Sequence, residues 1–495
     1  MKTLALYRQD ALEKTYPNDA ARLLEAIDSF ARRRGAKTLE VGSICRELQD
    51  APDNACAKAL KKAAQAETNA PLDALVLIGD ENILPMWTVN ILQAWAVGGR
   101  GRGRVVHTDA FYGGLSGGAL PDTPVSRVMG NADAVVRQLN GGQARGLEAA
   151  VLCSEDTRIH LETQRFLEEL SQNGHRVDAI GRMKEAGGQE RLDQYDLIIH
   201  FGHGSARSIS NRWGEDFASS KGLPALPRRP IAIVDGCATT PPGSPLLRAF
   251  LNNGCRAYIG SGATVYGMTP ARYTNQLVMH FLDAYKENPD WHIARLLLAA
   301  RAQYARVNCL EKPLAELEKV GRVSADGEMD IHLATFLGWG SYGAPFARLG
   351  KGEARPAFKK LPLVTEARVL KAPGGHVETA FQQESPTQQP ILFLRADWPA
   401  EASSGLVVRV SQNGKVLHEL HGGTEIVYQH LKDICVGGYD DGEIYRAYWL
   451  LPLESAAESQ QLRVELTFSE GEAAVLTESA VELWPEWEVV EPPSD

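Results

Sequence analysis

Hydrophobic positions along this chain come in short unbroken runs set between longer stretches of helical period. "DALVLIGDENILP" (73–85), "LEAAVLCSE" (147–155), "QYDLIIHFGHGS" (194–205), "RPIAIVDGC" (229–237) and "CRAYIGSGA" (255–263) each carry an apolar centre without polar alternation. Runs this short and continuous predict strands buried on both faces, and residues 125–130 predict one more. Helices are predicted over 17–66, where "NDAARLLEAIDSFARRR" repeats apolar residues at intervals of three and four behind Asn18 as a cap. Others are predicted over 157–173, 243–254 (stopped by Gly254), 270–287 and 291–307. Strands alternating with helices in this way imply a mainly parallel sheet covered on both faces. In such sheets functional groups collect beyond the carboxyl ends of the strands.

The pattern changes near residue 350. "GKGEARPAFKKLP" (350–362) reads as a linker. Beyond it come the β-type runs "ILFLRAD" (391–397), "GLVVRVSQNGKVLHEL" (405–420), "IYRAYWLLPL" (444–453) and "QQLRVELTFSE" (460–470), with no helical period between them. The Asn-Gly pair inside the second run is a hairpin signal. Residues 360–485 are therefore expected to form an all-β sandwich of immunoglobulin-like type, behind α/β segments spanning 1–146 and 147–350.

Two of the apolar runs end in reactive side chains. His203 follows "IIHF" between Gly202 and Gly204, and Cys237 follows "IAIVDG". If the two runs are neighbouring parallel strands, both side chains emerge on one rim. The intervening segment is long enough for one crossover connection. A nucleophilic cysteine needs a thiolate, a nearby histidine and donors for an oxyanion, and the backbone N–H groups of Gly204 and Cys237 are candidates for the last role. The flanking glycines leave room for a substrate backbone. His200 has the opposite strand parity and is expected to be structural, buried between sheet and helix. Cys255 lacks a preceding apolar strand and ranks below Cys237. Asp80 and Asp235, each closing a strand beside glycine, read as turn formers.

Charge and cysteine usage narrow the setting. The formal net charge is −10, which argues against a general nucleic-acid or anionic-membrane surface. The basic run "GGRGRGR" (98–104) reads as a solvated loop, with a processing or docking site as the second reading. No apolar run approaches the roughly 18 residues of a membrane span, and "MKTLALYRQDALEK" does not resemble a secretory signal, so a cytoplasmic location is expected. Seven cysteines at wide spacings without CxxC fit a reducing compartment better than a disulfide framework. No Cys/His cluster has zinc spacing.

"HFGHGSA" followed by "IAIVDGC" resembles the His-Gly and strand-end Cys blocks of caspase-like cysteine peptidases, and further stretches narrow the resemblance to the gingipain family. "LVLIGDENILP" (75–85) is similar to that family's strand and turn. "TDAFYGGLSGGALPDTPVSRV" (108–128) is similar to its acidic-aromatic loop and next strand. "RAYIGSGATVYG" (256–267) is similar to the strand after the nucleophile, and "GSYGAP" (340–345) to its closing turn. The resemblance spans roughly 70–350, in order. It implies a caspase-like α/β fold, with 1–146 and 147–350 as the N-terminal and catalytic subdomains of one peptidase unit and the immunoglobulin-like module behind them. The implied activity is that of a cysteine endopeptidase on peptide or protein substrates, working through a thioester. Cys237 is the implied nucleophile and His203 the general acid/base; Gly204 and Cys237 are the oxyanion donors, and Asp109 is the acidic group orienting the histidine. Tyr266, Met268 and Asp122 are candidates for the substrate pocket. No cofactor is required and no metal ligands are assigned. The family's structural calcium remains compatible with the chain, although no dense acidic loop demands it. Departures from the pattern, chiefly Ala238-Thr239-Thr240-Pro241-Pro242 after the cysteine, raise an alternative: a catalytically weak or inactive caspase-like scaffold that binds a protein partner. An activating or inhibitory partner fits either reading. Family members are secreted, in contrast to the location expected from this N-terminus.

Overall fold

The computed structural model describes residues 2–484 apart from 49–50, 52–53, 69–71, 94–103, 119, 142–145, 154–160, 181–187, 212–213, 269–271, 326, 354–358, 384–388, 400–405, 423–434, 441–443, 457, 469–471 and 477–478. The chain divides into two compact units. One comprises Met1–Arg158, Asn173–Gly267 and Tyr273–Ala354; the other comprises Ile159–Gln172, Met268–Arg272 and Arg355–Asp495.

The first unit is built on a mainly parallel sheet flanked by helices, an α/β architecture. Its strands are β1 (Thr3–Tyr7), β2 (Lys37–Glu40) and β3 (Ala74–Ile78) at one end of the chain. The small strands β4 (Trp87–Gln93) and β5 (Arg104–Thr108) follow, then β6 (Val125–Val128), β7 (Glu148–Cys153), β8 (Arg176–Ile180) and β9 (Leu197–Phe201). Next come the short ribbon β10 (His203–Gly204), β11 (Ser208–Ser210) and β12 (Asp216–Ser219), then β13 (Ile231–Asp235) and β14 (Ala257–Ser261). The two-residue strands β15 (Gly267–Met268) and β16 (Arg272–Tyr273) fall at the division of this unit from the second, and β17 (Arg322–Ala325) and β18 (Trp339–Gly343) complete it. The ten-stranded sheet runs β2-β1-β3-β6-β18-β14-β13-β9-β7-β8. Its central strands are apolar because both faces are covered: every residue of β3, β9, β13 and β14 is buried.

Strand direction within this sheet decides what can reach the site. β1, β2, β3 and β6 are mutually parallel, and β18 is parallel to β6. β14 is antiparallel to β18, with Ala257 opposite Gly343 and Ser261 opposite Trp339. From β14 through β13, β9, β7 and β8 the strands are again parallel to one another. The sheet is thus two parallel blocks pointing in opposite directions. The carboxyl ends of β9, β13 and β14 share a rim with the amino ends of β18, β6 and β3.

Some elements escaped the periodicity. The region 17–66 is not one helical stretch but Ala20–Arg34, Gly42–Glu47 and Ala55–Ala66, interrupted by β2. Gly35, at φ 59°, ends the first helix in the left-handed conformation that glycine tolerates best. β2 (Lys-Thr-Leu-Glu) is an edge strand with its ends exposed, so it carries no apolar run. The sheet β17-β4-β5 is likewise assembled from segments far apart in sequence.

The second unit contains an immunoglobulin-like β-sandwich. Its strands are β19 (Lys359–Pro362), β20 (Arg368–Lys371), β21 (Gly374–Phe381), β22 (Gln389–Pro399), β23 (Leu406–Gln412), β24 (Lys415–Gly422), β25 (Cys435–Asp440), β26 (Ile444–Pro452), β27 (Gln460–Thr467), β28 (Glu472–Val475) and β29 (Ala480–Trp484). One sheet contains β19-β29-β22-β26-β25, with β28 pairing both β20 and β22; the other runs β21-β27-β23-β24. Their pairings are antiparallel. Val377, Val408, Val464 and Leu466 of the second sheet share a core with Leu392, Leu394, Trp449 and Val481 of the first. The Asn-Gly turn joins β23 to β24 with Asn413 at φ 51° and Gly414 at φ 80°, the positive angles a tight hairpin requires.

Candidate active site

β9 and β13 are adjacent, in register from Leu197 opposite Ile231 to Phe201 opposite Asp235. The Gly202 N–H extends the pairing to the Asp235 carbonyl oxygen at 3.1 Å. His203 and Cys237 therefore lie at equal steps beyond the last pair, on one rim. The glycines have a definite steric role. A Cβ on Gly204 would stand 2.7 Å from Thr239 Cγ2, 3.0 Å from the Gly236 carbonyl carbon and 3.1 Å from the Cys237 nitrogen. A Cβ on Gly236 would stand 3.2 Å from the Gly204 Cα. These residues let the two strand ends touch; clearance is spent on that approach before any is left for substrate. Gly202 is at φ 154°, and a Cβ there would lie 3.1 Å from the Ser210 carbonyl oxygen.

After Cys237 the chain turns through Ala238 at φ 47°, a conformation that costs a non-glycine residue energy and persists only where neighbours enforce it. The Ala238 N–H donates to the Ala263 carbonyl oxygen at 2.8 Å, holding this turn beneath the loop that leaves β14. The Cys237 thiol is partly buried and donates to the Val265 carbonyl oxygen at 3.2 Å. Burial pushes the thiol above its ordinary pKa; the nearby Asp235 carboxylate pushes the same way and the Arg104 guanidinium opposes both. Among the described residues no acceptor engages the Cys237 N–H, which leaves it available as an oxyanion donor. His203 is exposed, in a ladder that sets it opposite Ser210 and Gly204 opposite Ile209.

The other expected site residues are placed as follows. Asp109 gives both carboxylate oxygens to Arg127, at 2.7 Å from Nε and 2.6 Å from Nη2. Arg127, 1% exposed, also donates to the carbonyls of Gly79 and Leu84. This cluster lies at the carboxyl end of β3, on the rim opposite to His203, because the two strand blocks run in opposite directions. Asp109 is thus a partner for Arg127, and among the described residues no hydrogen bond joins it to His203. Asp122 accepts from the N–H groups of Leu115 and Ser116 and from the Thr123 hydroxyl. It shapes its own loop, at the entry to β6 and three strands from β13. Met268 lies in β15; its side chain falls outside the described residues.

Tyr266 does stand at the rim, next to the carbonyl that receives the thiol. It is 40% exposed, and its hydroxyl accepts from Arg104 Nη2 at 3.1 Å while the guanidinium carbon sits 5.0 Å from the ring centroid. Arg104 Nε in turn donates to Asp330 Oδ2 at 2.8 Å, and Asp330 is buried. Arg104 opens β5 and is anchored, in contrast to the solvated loop expected for 98–104; the rest of that run lies outside the described residues. Asp330 left no trace in the sequence pattern, since it lies inside the helix Gly327–Gly338. We expect Arg104→Met to move the inflection of the Cys237 alkylation-rate profile to higher pH, because the thiolate loses a favourable charge. Iodoacetamide labelling mapped to Cys237 checks this; an unmoved or lowered inflection contradicts it.

His200 is fully buried, packed edge-to-face on Phe217 at 5.7 Å, with Nε2 3.4 Å from the Ser210 carbonyl oxygen. It lies under the β10–β12 ribbon, not under a helix as expected. Burial pulls its pKa down to about 4, and burial likewise pulls His292 down to about 4. A histidine depressed on folding binds its proton more readily in the unfolded chain. Stability is therefore whole above about pH 6.5 and declines as pH falls toward 4, by up to about 3 kcal/mol for each residue. Urea denaturation at pH 7 and pH 4.5 should show the difference, and His200→Gln should reduce it. Cys255 is buried, its thiol donating to the carbonyls of Pro230 and Ala257, and burial raises its pKa to about 12. Asp80 accepts from the Asn82 N–H and pairs with Arg248 at 2.8 Å, and Asp235 accepts from the Thr274 hydroxyl at 2.9 Å.

Among the described residues no group of three or more His, Cys, Asp and Glu side chains could hold a metal ion, and no helix is long and apolar enough to cross a membrane. No family model matches the sequence, and no curated protein does. Among solved structures the chain is similar to the Arg-specific cysteine proteinase gingipain R, at 14% identity and TM-score 0.46, covering 96% of each chain. It is also similar to a complex of the pro- and mature domains of RgpB from Porphyromonas gingivalis, at 13% identity and TM-score 0.47, covering 95% of this chain and 97% of that one. A third structure, described as a protease, aligns at 12% identity and TM-score 0.44 over 92% of this chain and 97% of that one.

Proposed function

We propose that this chain is a cysteine endopeptidase acting on peptide or protein substrates. The observation that carries the reading is the pairing of β9 with β13, which delivers a histidine and a cysteine to one rim at matching steps, through two glycines whose backbones touch. In this reading the Cys237 thiolate attacks a peptide carbonyl carbon. The C–S bond forms and the oxyanion is held by the N–H groups of Gly204 and Cys237. His203 protonates the departing amine as the C–N bond breaks, leaving a thioester. His203 then takes a proton from water, which hydrolyses the thioester and frees the thiol. Arg104 and Tyr266 flank the thiol and border the place where the substrate lies.

The test is labelling by an electrophilic peptide probe, expected on Cys237 and lost in Cys237→Ala. Labelling that persists in the variant removes the assignment. One observation favours a second reading. The thiol donates to Val265, burial raises its pKa, and no hydrogen bond joins it to His203. This supports a catalytically weak or inactive scaffold that binds a protein partner. Failure of any electrophilic probe to label Cys237 at pH 9, with the thiol still titratable after unfolding, would favour the scaffold.

A further inference from the structure

The wide spacing of the cysteines conceals a contact between two of them. Cys45, in the helix Gly42–Glu47, and Cys56, in the helix Ala55–Ala66, stand eleven residues apart in sequence, yet their sulfur atoms are 3.2 Å apart. Cys45 is 4% exposed and Cys56 is partly exposed. Both are free thiols. Closing to a disulfide needs the sulfurs to approach by only about 1 Å, toward the usual S–S length of about 2.05 Å. Among the described residues no third cysteine, histidine or carboxylate joins the pair in a metal-ligand set.

The surroundings make the two sulfurs unequal. The Cys56 thiol donates a hydrogen bond to the Cys45 sulfur, and the Arg8 guanidinium acts on both thiols, favouring the thiolate in each. Cys56 is the more exposed sulfur, and the buried Cys45 stands directly behind it. That is the arrangement of an attacking thiol with a resolving thiol.

We propose that Cys45 and Cys56 form an oxidisable dithiol, a modification site for hydroperoxides separate from Cys237. The Cys56 thiolate attacks one oxygen of the peroxide. The S–O bond forms, the O–O bond breaks, the sulfur is oxidised to a sulfenic acid and the peroxide oxygen leaves as hydroxide or alkoxide. The Cys45 sulfur then attacks the sulfenic sulfur. The S–S bond forms, the S–O bond breaks, and the departing hydroxide takes the Cys45 proton to become water. The peroxide is reduced by two electrons and the dithiol is oxidised by two. The product ties the helix of Cys45 to the helix of Cys56 and is undone by a dithiol reductant.

The experiment treats the full-length chain with hydrogen peroxide, blocks remaining thiols with iodoacetamide and maps the peptides by mass spectrometry. The expected product is one cross-linked species carrying Cys45 and Cys56, lighter than the sum of its peptides by two hydrogens, abolished by dithiothreitol and formed unchanged in Cys237→Ala. In Cys56→Ser, which alters the partly exposed partner and is not expected to disturb folding, the cross-link is absent and Cys45 remains alkylatable after unfolding. Full alkylation of both cysteines after peroxide overturns the proposal. So does conversion of Cys56 to sulfinic acid with Cys45 still free.

Discussion

Cys237→Ala is expected to lower thiol-dependent peptide cleavage at least about a thousandfold, since removing a covalent nucleophile leaves only binding and oxyanion stabilisation. The fold should survive. The side chain is partly buried and among the described residues makes one hydrogen bond, to Val265, and such a bond contributes about 1 kcal/mol. His203→Ala should be comparably inactive and at least as stable, because His203 is exposed. Cys255→Ala serves as the control: a thiol held by two carbonyls in the core should leave cleavage per folded molecule unchanged. The measurement is kcat/KM on a peptide mixture beside a urea titration of each variant. Cleavage at parental rates by Cys237→Ala would end the peptidase reading.

The largest effect on stability is expected at Arg127. Its guanidinium is buried, paired at two points with Asp109 and bonded to two backbone carbonyls. Arg127→Met would leave the Asp109 carboxylate mostly buried without its countercharge. Breaking a buried pair from one side costs about 3–5 kcal/mol, against a total stability of about 5–15 kcal/mol for a typical domain. Asp109→Asn should cost a similar amount by stranding the guanidinium. The pair also settles what Asp109 does. If Asp109 supports the fold, both variants lose stability together and kcat per folded molecule is kept. If Asp109 oriented His203, Asp109→Asn would lower kcat while Arg127→Met would not. Urea midpoints read with single-turnover rates on the folded fraction separate these outcomes.

Much of the architecture was written locally. Apolar runs such as "IAIVD" and "LVLI" report burial on both faces, so strands β3, β7, β9, β13 and β14 follow from composition and period alone, as do the helices over 274–287 and 293–307. The alternating runs and Asn-Gly turn of the C-terminal region likewise specify a sandwich, because period two and the turn chemistry are properties of neighbouring residues. The placement of His203 and Cys237 at strand ends was visible for the same reason.

Strand order and direction were not, and they decided the surroundings of the site. They depend on pairings between segments distant in sequence, which no local period encodes. Because β18 joins two blocks of opposite direction, Asp109 falls on the far rim while Arg104, at the start of the short strand that leads to it, comes to Tyr266 and the thiol. The same non-local folding brings Cys45 onto Cys56. The amino-acid order thus determined which side chains stand at the ends of buried strands; only the tertiary pairing decided which of them face one another, since facing requires a shared rim.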